Sequence, residues 1–211
     1  MDAKERAAKI SGLLKKNYPK SGIALRHDNP MQLLVAVILS AQCTDKRVNI
    51  VTGSLFKKYK TVNDFAKADL KIFEKEVRST GFYRNKAKNI TASAKMIKKD
   101  FNGRVPDNME DMLKLPGVAR KTANIVLSRA YGIIDGIAID THCIRLTQRW
   151  GLTRNRDAVR IEQDMMKLIP RRDWDRFSLM TIRHGRTVCH ARKPNCAGCF
   201  LNKICQSAFK V

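Results

Sequence analysis

Leu115-Pro116-Gly117-Val118-Ala119-Arg120-Lys121-Thr122-Ala123 is the stretch on which the fold turns. Pro116-Gly117 makes a tight turn. Upstream, Asp107 or Asn108 can cap a short helix that ends near Lys114. Downstream, a second helix runs through Ala130. The arrangement is a helix–hairpin–helix. The N–H groups of such a turn, with the positive end of the next helix, can hold a phosphate without reading base sequence. The plainer alternative is an ordinary corner between two helices. Arg120 and Lys121 are cations at a helix N-terminus, where the dipole disfavours them by about 0.3–1 kcal/mol. They are either a tolerated surface pair, or Lys121 stands there because its amine must deprotonate easily. The dipole, Arg120 and partial burial would each lower a lysine pKa. A neutral lysine attacks carbon electrophiles and forms Schiff bases.

About twenty residues on stands Ile137-Ala138-Ile139-Asp140-Thr141-His142. Asp140 follows an apolar run and opens a helix that ends near Gly151. It can be a plain N-cap carboxylate. The same geometry suits a carboxylate that stabilises developing positive charge or takes a proton from a lysine. His142 lies in the first turn after it and either lines a site or is a hydrogen-bonded interface histidine.

The rest of the chain also reads as helix. Met31 to Leu39 is apolar on nearly every side and reads as a buried core helix rather than a buried strand, since nothing nearby pairs with it and Pro30 suits a helix's first turn. Thr44 or Asp45 can cap a helix through Lys57. Asn85 to Phe101 places Ala87, Ile90, Ala94 and Ile97 at spacings of three and four with lysines between, an amphipathic surface helix. Helical patterns recur at 107–114, 119–130, 141–150, 157–168 and 173–187, separated by glycine and proline turn signals. Strand-like alternation is scarce, so the fold class is all-α.

Composition narrows the function. The 211 residues carry 42 Lys+Arg against 19 Asp+Glu, a formal net charge of +23, and 44% are hydrophobic. That core content excludes a disordered basic tail. The longest apolar run, Leu33 to Leu39, is far short of the roughly 20 residues of a spanning helix, so no membrane role is expected. The N-terminus carries no apolar leader, which points to the cytoplasm and the nucleoid. A folded protein this basic meets a polyanion, nucleic acid first, unless the charge is a proteome-wide adaptation.

Cys189, Cys196, Cys199 and Cys205 form a C-x6-C-x2-C-x5-C group near the C-terminus. Four thiols so close, without a secretion signal, indicate a metal site rather than disulfides. Zinc and [4Fe–4S] compete. Structural zinc usually pairs two short knuckles, and only one is present, so the wider spacings favour the bulkier cluster. Between the first two cysteines, Arg192 and Lys193 offer two cations on a loop anchored at both ends, a ready phosphate contact. Cys43 and Cys143 lie far away and read as small buried hydrophobes.

The order Leu115 to Ala123, Asp140-Thr141-His142, the four cysteines, and Leu39-Ser40-Ala41-Gln42-Cys43-Thr44-Asp45 near the N-terminus resembles the endonuclease III family. These are iron–sulfur, helix–hairpin–helix DNA glycosylases, and the likeness covers roughly residues 5–208. The resemblance implies two helical domains with a cleft between them: a six-helix barrel with the hairpin over 23–134, and a cluster domain from 1–22 with 135–211. It implies a [4Fe–4S] cofactor on the four cysteines, with a structural, DNA-docking duty. The implied partner is double-stranded DNA with a damaged base or abasic site, bound by a monomer, with the damaged nucleotide flipped out of the stack.

By the same likeness Lys121 attacks C1′, forms a Schiff base and cuts by β-elimination, and Asp140 activates Lys121. Gln42 fills the hole left by the flipped base, while Gly117, Arg192 and Lys193 grip phosphates. Ala119, Arg120 and His142 are expected at the DNA as well. Two features depart from the family. The hairpin often ends L-P-G-V-G, whereas Ala119 stands here, an alanine that keeps its N–H. In Ser79-Thr80-Gly81-Phe82-Tyr83, Thr80 and Phe82 replace aliphatic residues that wedge against the opposite bases. An aromatic wedge still intercalates, although Phe82 could equally be a core aromatic. The implied activity is a bifunctional glycosylase/AP lyase for oxidised or ring-saturated pyrimidines. The alternatives are a monofunctional adenine or mismatch-thymine/uracil glycosylase, against which Lys121 argues, and a non-catalytic DNA-binding module.

Overall fold

The computed structural model describes residues 1–211 except Ser21 and Ile23. The all-helical expectation holds: the described residues contain helices and turns and no strand. The chain divides into two compact units, one of Ala24–Asp135 and one of Met1–Ile23 with Gly136–Val211. The boundary expected between 22 and 23 touches Ile23 and lies outside the described residues.

The first unit contains α2 (Pro30–Leu39), α3 (Asp45–Lys58), α4 (Val62–Ala66), α5 (Leu70–Val77), a 3-10 turn (Arg78–Thr80), α6 (Tyr83–Asp100), α7 (Met109–Lys114) and α8 (Arg120–Tyr131). The two short helices α4 and α5, five and eight residues long, are absent from the sequence reading. Each begins at a side-chain cap, Thr61 or Asp69. Helix α2 is the centre. Asn29 caps it, Pro30 occupies its first turn, and every residue from Met31 to Leu39 is buried. It packs on α3, α6 and α8, which is why no polar face is needed. Each fully buried leucine there contributes about 1.5–3 kcal/mol. Tyr59, Phe65 and Phe73 form a second cluster, with ring centroids 5.3–6.1 Å apart.

The second unit contains α1 (Ala3–Asn17), α9 (Thr141–Arg149), α10 (Ala158–Leu168), a 3-10 turn (Arg171–Asp173) and α11 (Trp174–Thr187), followed by the cysteine loop. Its core joins Ile10 and Leu14 of α1 to Leu146, Trp150, Ile161, Met165, Phe177, Met180 and Leu201. The two ends of the chain thus share one core. No helix among the described residues is long and apolar enough to cross a membrane.

Candidate functional site

The hairpin is held from below by α6. Gly117 has φ +76°, and a Cβ there would stand 2.5 Å from the Asn89 amide nitrogen. One turn further along α6, the Ser93 hydroxyl donates to the Pro116 carbonyl at 2.8 Å. Leu115 and Val118 are buried on either side of the turn, and the Val118 N–H donates to the Leu115 carbonyl at 3.1 Å. The turn is therefore fixed by backbone and by α6 before any ligand arrives. Ala119 is the N-cap of α8, in extended geometry (φ −98°, ψ 169°), and supplies no side-chain cap. An alanine at the N-cap offers the first turn no acceptor of its own, unlike the Asp, Asn or Thr that caps most helices of this chain. Lys121 follows in the first turn and is exposed. The partial burial expected of it is not found, because it lies on the outer side of α8, away from the packed positions Ala123, Val126 and Leu127.

Two loops flank α2 and α6 in the same unit. Gln42 sits between α2 and α3, exposed, with φ +52°. Thr80, Gly81 and Phe82 lead into α6. Phe82 is 64% exposed with φ +47°, so it is not a core aromatic. Thr80 is a correction in the other direction. It is 2% exposed and its hydroxyl donates to the Val77 carbonyl at 2.8 Å, so its side chain is a structural part of the turn and not a wedge. Cys43, expected as a buried hydrophobe, is only half-buried, because it lies in the Gln42 loop and not on α2.

Sequence reasoning missed Lys86. It is one of several lysines on a helix expected to be a surface element, yet it is 5% exposed. Its ammonium donates to the carbonyls of Leu39 at 2.8 Å and Thr80 at 2.7 Å. Burial pushes its pKa down, and the neighbouring Cys43 opposes that shift. Each charge-assisted hydrogen bond contributes about 1.5–3 kcal/mol against the cost of burying the cation. The only signal in the sequence is that Lys86 precedes Ala87 on the apolar face, which periodicity alone reads as an edge position.

In the other unit, Asp140 is the N-cap of α9, its carboxylate accepting from the Cys143 N–H at 2.8 Å. Ile137 and Ile139 are buried on either side of Ala138, whose carbonyl accepts from the Ser178 hydroxyl at 2.6 Å. The segment that delivers Asp140 is therefore pinned to α11. Cys143 is fully buried, as expected, and burial pushes its thiol far up. His142 lies 3.1 Å from the Arg145 guanidinium and packs on Gly185, where a Cβ would stand 2.6 Å from its Nδ1. That is the hydrogen-bonded interface histidine of the plainer expectation.

The four cysteines form no disulfide and line one small cavity with Arg149, His184 and Pro194. Burial pushes the Cys199 and Cys205 thiols up, and the neighbouring thiols push further in the same direction. Donors surround them. The Arg149 guanidinium lies 3.2 Å from the Cys189 sulfur, and the Leu201 N–H lies 3.4 Å from that of Cys199. His184 is fully buried between the Tyr18 hydroxyl, 3.0 Å from Nδ1, and the Cys199 sulfur, 3.5 Å from Nε2. Burial pushes its imidazole down to about 4, so the ring is neutral at pH 7. Arg149 also donates to the carbonyls of His190 at 2.7 Å and Ala191 at 2.9 Å. This fastens the loop that presents Arg192 and Lys193, both exposed. Nothing local marks Arg149, because its partners lie some forty residues away.

Over residues 35–171 the chain matches the HhH-GPD superfamily of base excision DNA repair proteins, a span that contains Gln42, the hairpin, Lys121 and Asp140. It is 54% identical to the endonuclease III of Synechocystis sp. over 205 residues, 97% of this chain and 94% of that one. Among solved structures, it is 41% identical to the protein of a non-covalent endonuclease III–DNA complex, covering all of this chain and 98% of that one with a TM-score of 0.94. The same identity and TM-score relate it to a trapped endonuclease III–DNA covalent intermediate, with coverage of 100% and 99%. The chain belongs to the endonuclease III family.

Proposed function

We propose that this protein is a base excision repair DNA glycosylase with AP lyase activity, acting on oxidised or ring-saturated pyrimidines in duplex DNA. The observation that carries this is Lys121 in the first turn of the uncapped helix α8, directly behind the Gly117 hairpin. The relative caught as a covalent DNA intermediate supports a covalent route for this chain too.

The Lys121 amine attacks C1′ of the flipped nucleotide. The new C–N bond forms as the glycosidic bond breaks and the base leaves with its electron pair. Ring opening gives the iminium ion, which acidifies the C2′ proton. Loss of that proton expels the 3′ phosphate and cuts the strand, and water releases the lysine. Asp140 takes the proton of Lys121 and stabilises the cationic sugar. The hairpin N–H groups, Gly117, Ala119 and Arg120, hold one phosphate stretch. Arg192 and Lys193 hold another. Gln42 and Phe82 enter the helix around the vacated position. His142 orders the segment beside Asp140.

The cysteine set fits a [4Fe–4S] cluster. Its spacing is wide, its thiols share one cavity, and N–H donors already face the sulfurs. Cys189, Cys196, Cys199 and Cys205 would hold the cluster, which as a bound cation centre keeps the thiols ionised and cross-links the loop. With Cys199 ionised, His184 would carry its proton on Nε2 and accept from Tyr18 at Nδ1. The protein would work as a monomer in the cytoplasm, at the nucleoid.

Borohydride reduction tests the whole proposal. With an abasic-site duplex the wild type should give a covalent adduct, and Lys121→Gln should give none. A wild type that does not trap, or a Lys121→Gln variant that traps normally, would sink the lyase assignment. A monofunctional glycosylase would release base without trapping, and a binding module would do neither.

A further inference from the structure

We infer that Lys86 is a positioning residue that clamps the Gln42 loop to the Phe82 loop, so that both enter the DNA as one rigid part. The inference rests on the proposed DNA-inserting roles of those two side chains and adds the element that sets their geometry.

One ammonium holds both loops. Leu39, whose carbonyl accepts at 2.8 Å, lies three residues before Gln42. Thr80, whose carbonyl accepts at 2.7 Å, lies two residues before Phe82. The Leu39 carbonyl belongs to the last turn of α2, where carbonyls lack helical partners and the dipole is negative. The Thr80 carbonyl closes the 3-10 turn, and the Thr80 hydroxyl is turned inward to Val77. Among the described residues no carboxylate pairs with Lys86. Its neighbours on the buried face of α6 are apolar (Ala87, Ile90, Ala94 and Ile97) or are hydroxyls turned elsewhere, Thr91 to the Ala87 carbonyl and Ser93 to the Pro116 carbonyl. A methionine would fill the position without burying a charge. The core therefore gives no reason for a cation, whereas two outward-facing loops in need of a common anchor do.

The backbone beyond each anchor supports this. Gln42 and Phe82 are both exposed non-glycine residues in the left-handed region, at φ +52° and +47°. Such conformations persist only where the surroundings over-determine them, and they collect at ligand-gripping segments. Thr44, which caps α3, closes the first loop on its far side. The second runs straight into α6, where the Lys86 N–H donates to the Phe82 carbonyl at 3.1 Å. Lys86 thus holds Phe82 by its backbone and Thr80 by its side chain.

The test compares Lys86→Met, which keeps length and loses the donor, with Lys86→Arg, which keeps donors. Single-turnover base release is measured on a duplex with one damaged base. Borohydride trapping is measured on a duplex with an abasic residue in both strands, where no base must be turned out or held apart. Lys86→Met should lose roughly 10²-fold on the first substrate, the scale of a small misplacement, and little on the second. Lys86→Arg should recover part of the loss. A Gln42→Ala/Phe82→Ala pair should reproduce the Lys86→Met pattern, and adding Lys86→Met to it should cost nothing more. Equal losses on both substrates would overturn the clamp in favour of a folding role, and no loss on the first would overturn it outright. Should Lys86→Met fail to fold, the same ratio read on Lys86→Arg and Lys86→Gln decides. A wild type that traps neither substrate overturns the proposed function itself, and the clamp with it.

Discussion

Helices α8 and α9 start from almost the same backbone. Ala119 has φ −98° and ψ 169°, and Asp140 has φ −112° and ψ −176°. They are finished in opposite ways. Asp140 turns its own carboxylate onto the Cys143 N–H, so α9 is closed from within. Ala119 has no group to offer, and α8 begins with Arg120 and Lys121 behind a glycine turn braced by Asn89 and Ser93. An uncapped N-terminus costs about 1 kcal/mol relative to a capped one. Side chains cap α1 to α5, α7, α9 and α10, whereas α6, α8 and α11 begin without one, and of these three α8 follows the braced Gly117 turn. The difference, at a helix start behind a braced glycine turn, is what the proposed phosphate contact at α8 rests on.

Four changes would break or sharpen that contrast. The largest effect is expected at the closed end. Asparagine caps as well as aspartate, so Asp140→Asn should leave the melting temperature near wild type while single-turnover base release falls about 10²–10³-fold. Activity near wild type would reduce Asp140 to a cap. Next comes Gly117→Ala, which combines a positive φ with a Cβ pressed onto Asn89. It should destabilise the protein by about 1–3 kcal/mol in denaturant titration and weaken binding to undamaged duplex as well. If binding survives intact, the hairpin is only a corner.

Ala119→Asp is the direct inversion. In its extended geometry the new carboxylate can cap α8, raising stability by about 1 kcal/mol while repelling the phosphate. Duplex affinity should drop several-fold, and a variant that gains on both counts would contradict an anion at α8. The smallest change concerns the diffuse charge. The logarithm of the affinity for undamaged duplex should fall with log salt by about 0.9 per phosphate neutralised, and Arg192→Ala with Lys193→Ala should lower that slope by roughly two such steps. An unchanged slope would remove these two from the interface.

Much of the site was legible because its signals are local. Turn chemistry announced Pro116-Gly117, and cap chemistry announced Asp140. Cap chemistry also narrowed two other helix starts to Thr44 or Asp45 and to Asp107 or Asn108, of which Thr44 and Asn108 are the caps. Close cysteine spacing announced that the four thiols belong together. The run 31–39 became a helix buried on all sides because eight of its nine residues are apolar, and its one polar side chain, Gln32, accepts from the Asp28 N–H. The misses share a cause as well. Phe82 and Thr80 are two residues apart on a turn, and which of them faces outward depends on the left-handed backbone at Gly81 and Phe82. Lys121, by contrast, is exposed because it lies opposite Ala123, Val126 and Leu127, a spacing that the sequence does carry.

The amino-acid sequence by itself determined the helical class, the hairpin, the position of the lysine and carboxylate, and the charge that draws the protein to a polyanion. All of these follow from interactions within a few residues or from composition. Only the tertiary structure decided that Lys86 is buried between two loops and that Arg149 fastens the cysteine loop. It likewise decided that Asn89 and Ser93 hold the hairpin. Those roles join carbonyls and side chains far apart along the chain. A long cation's place, inside or out, is set by which acceptors the packed helices bring to it.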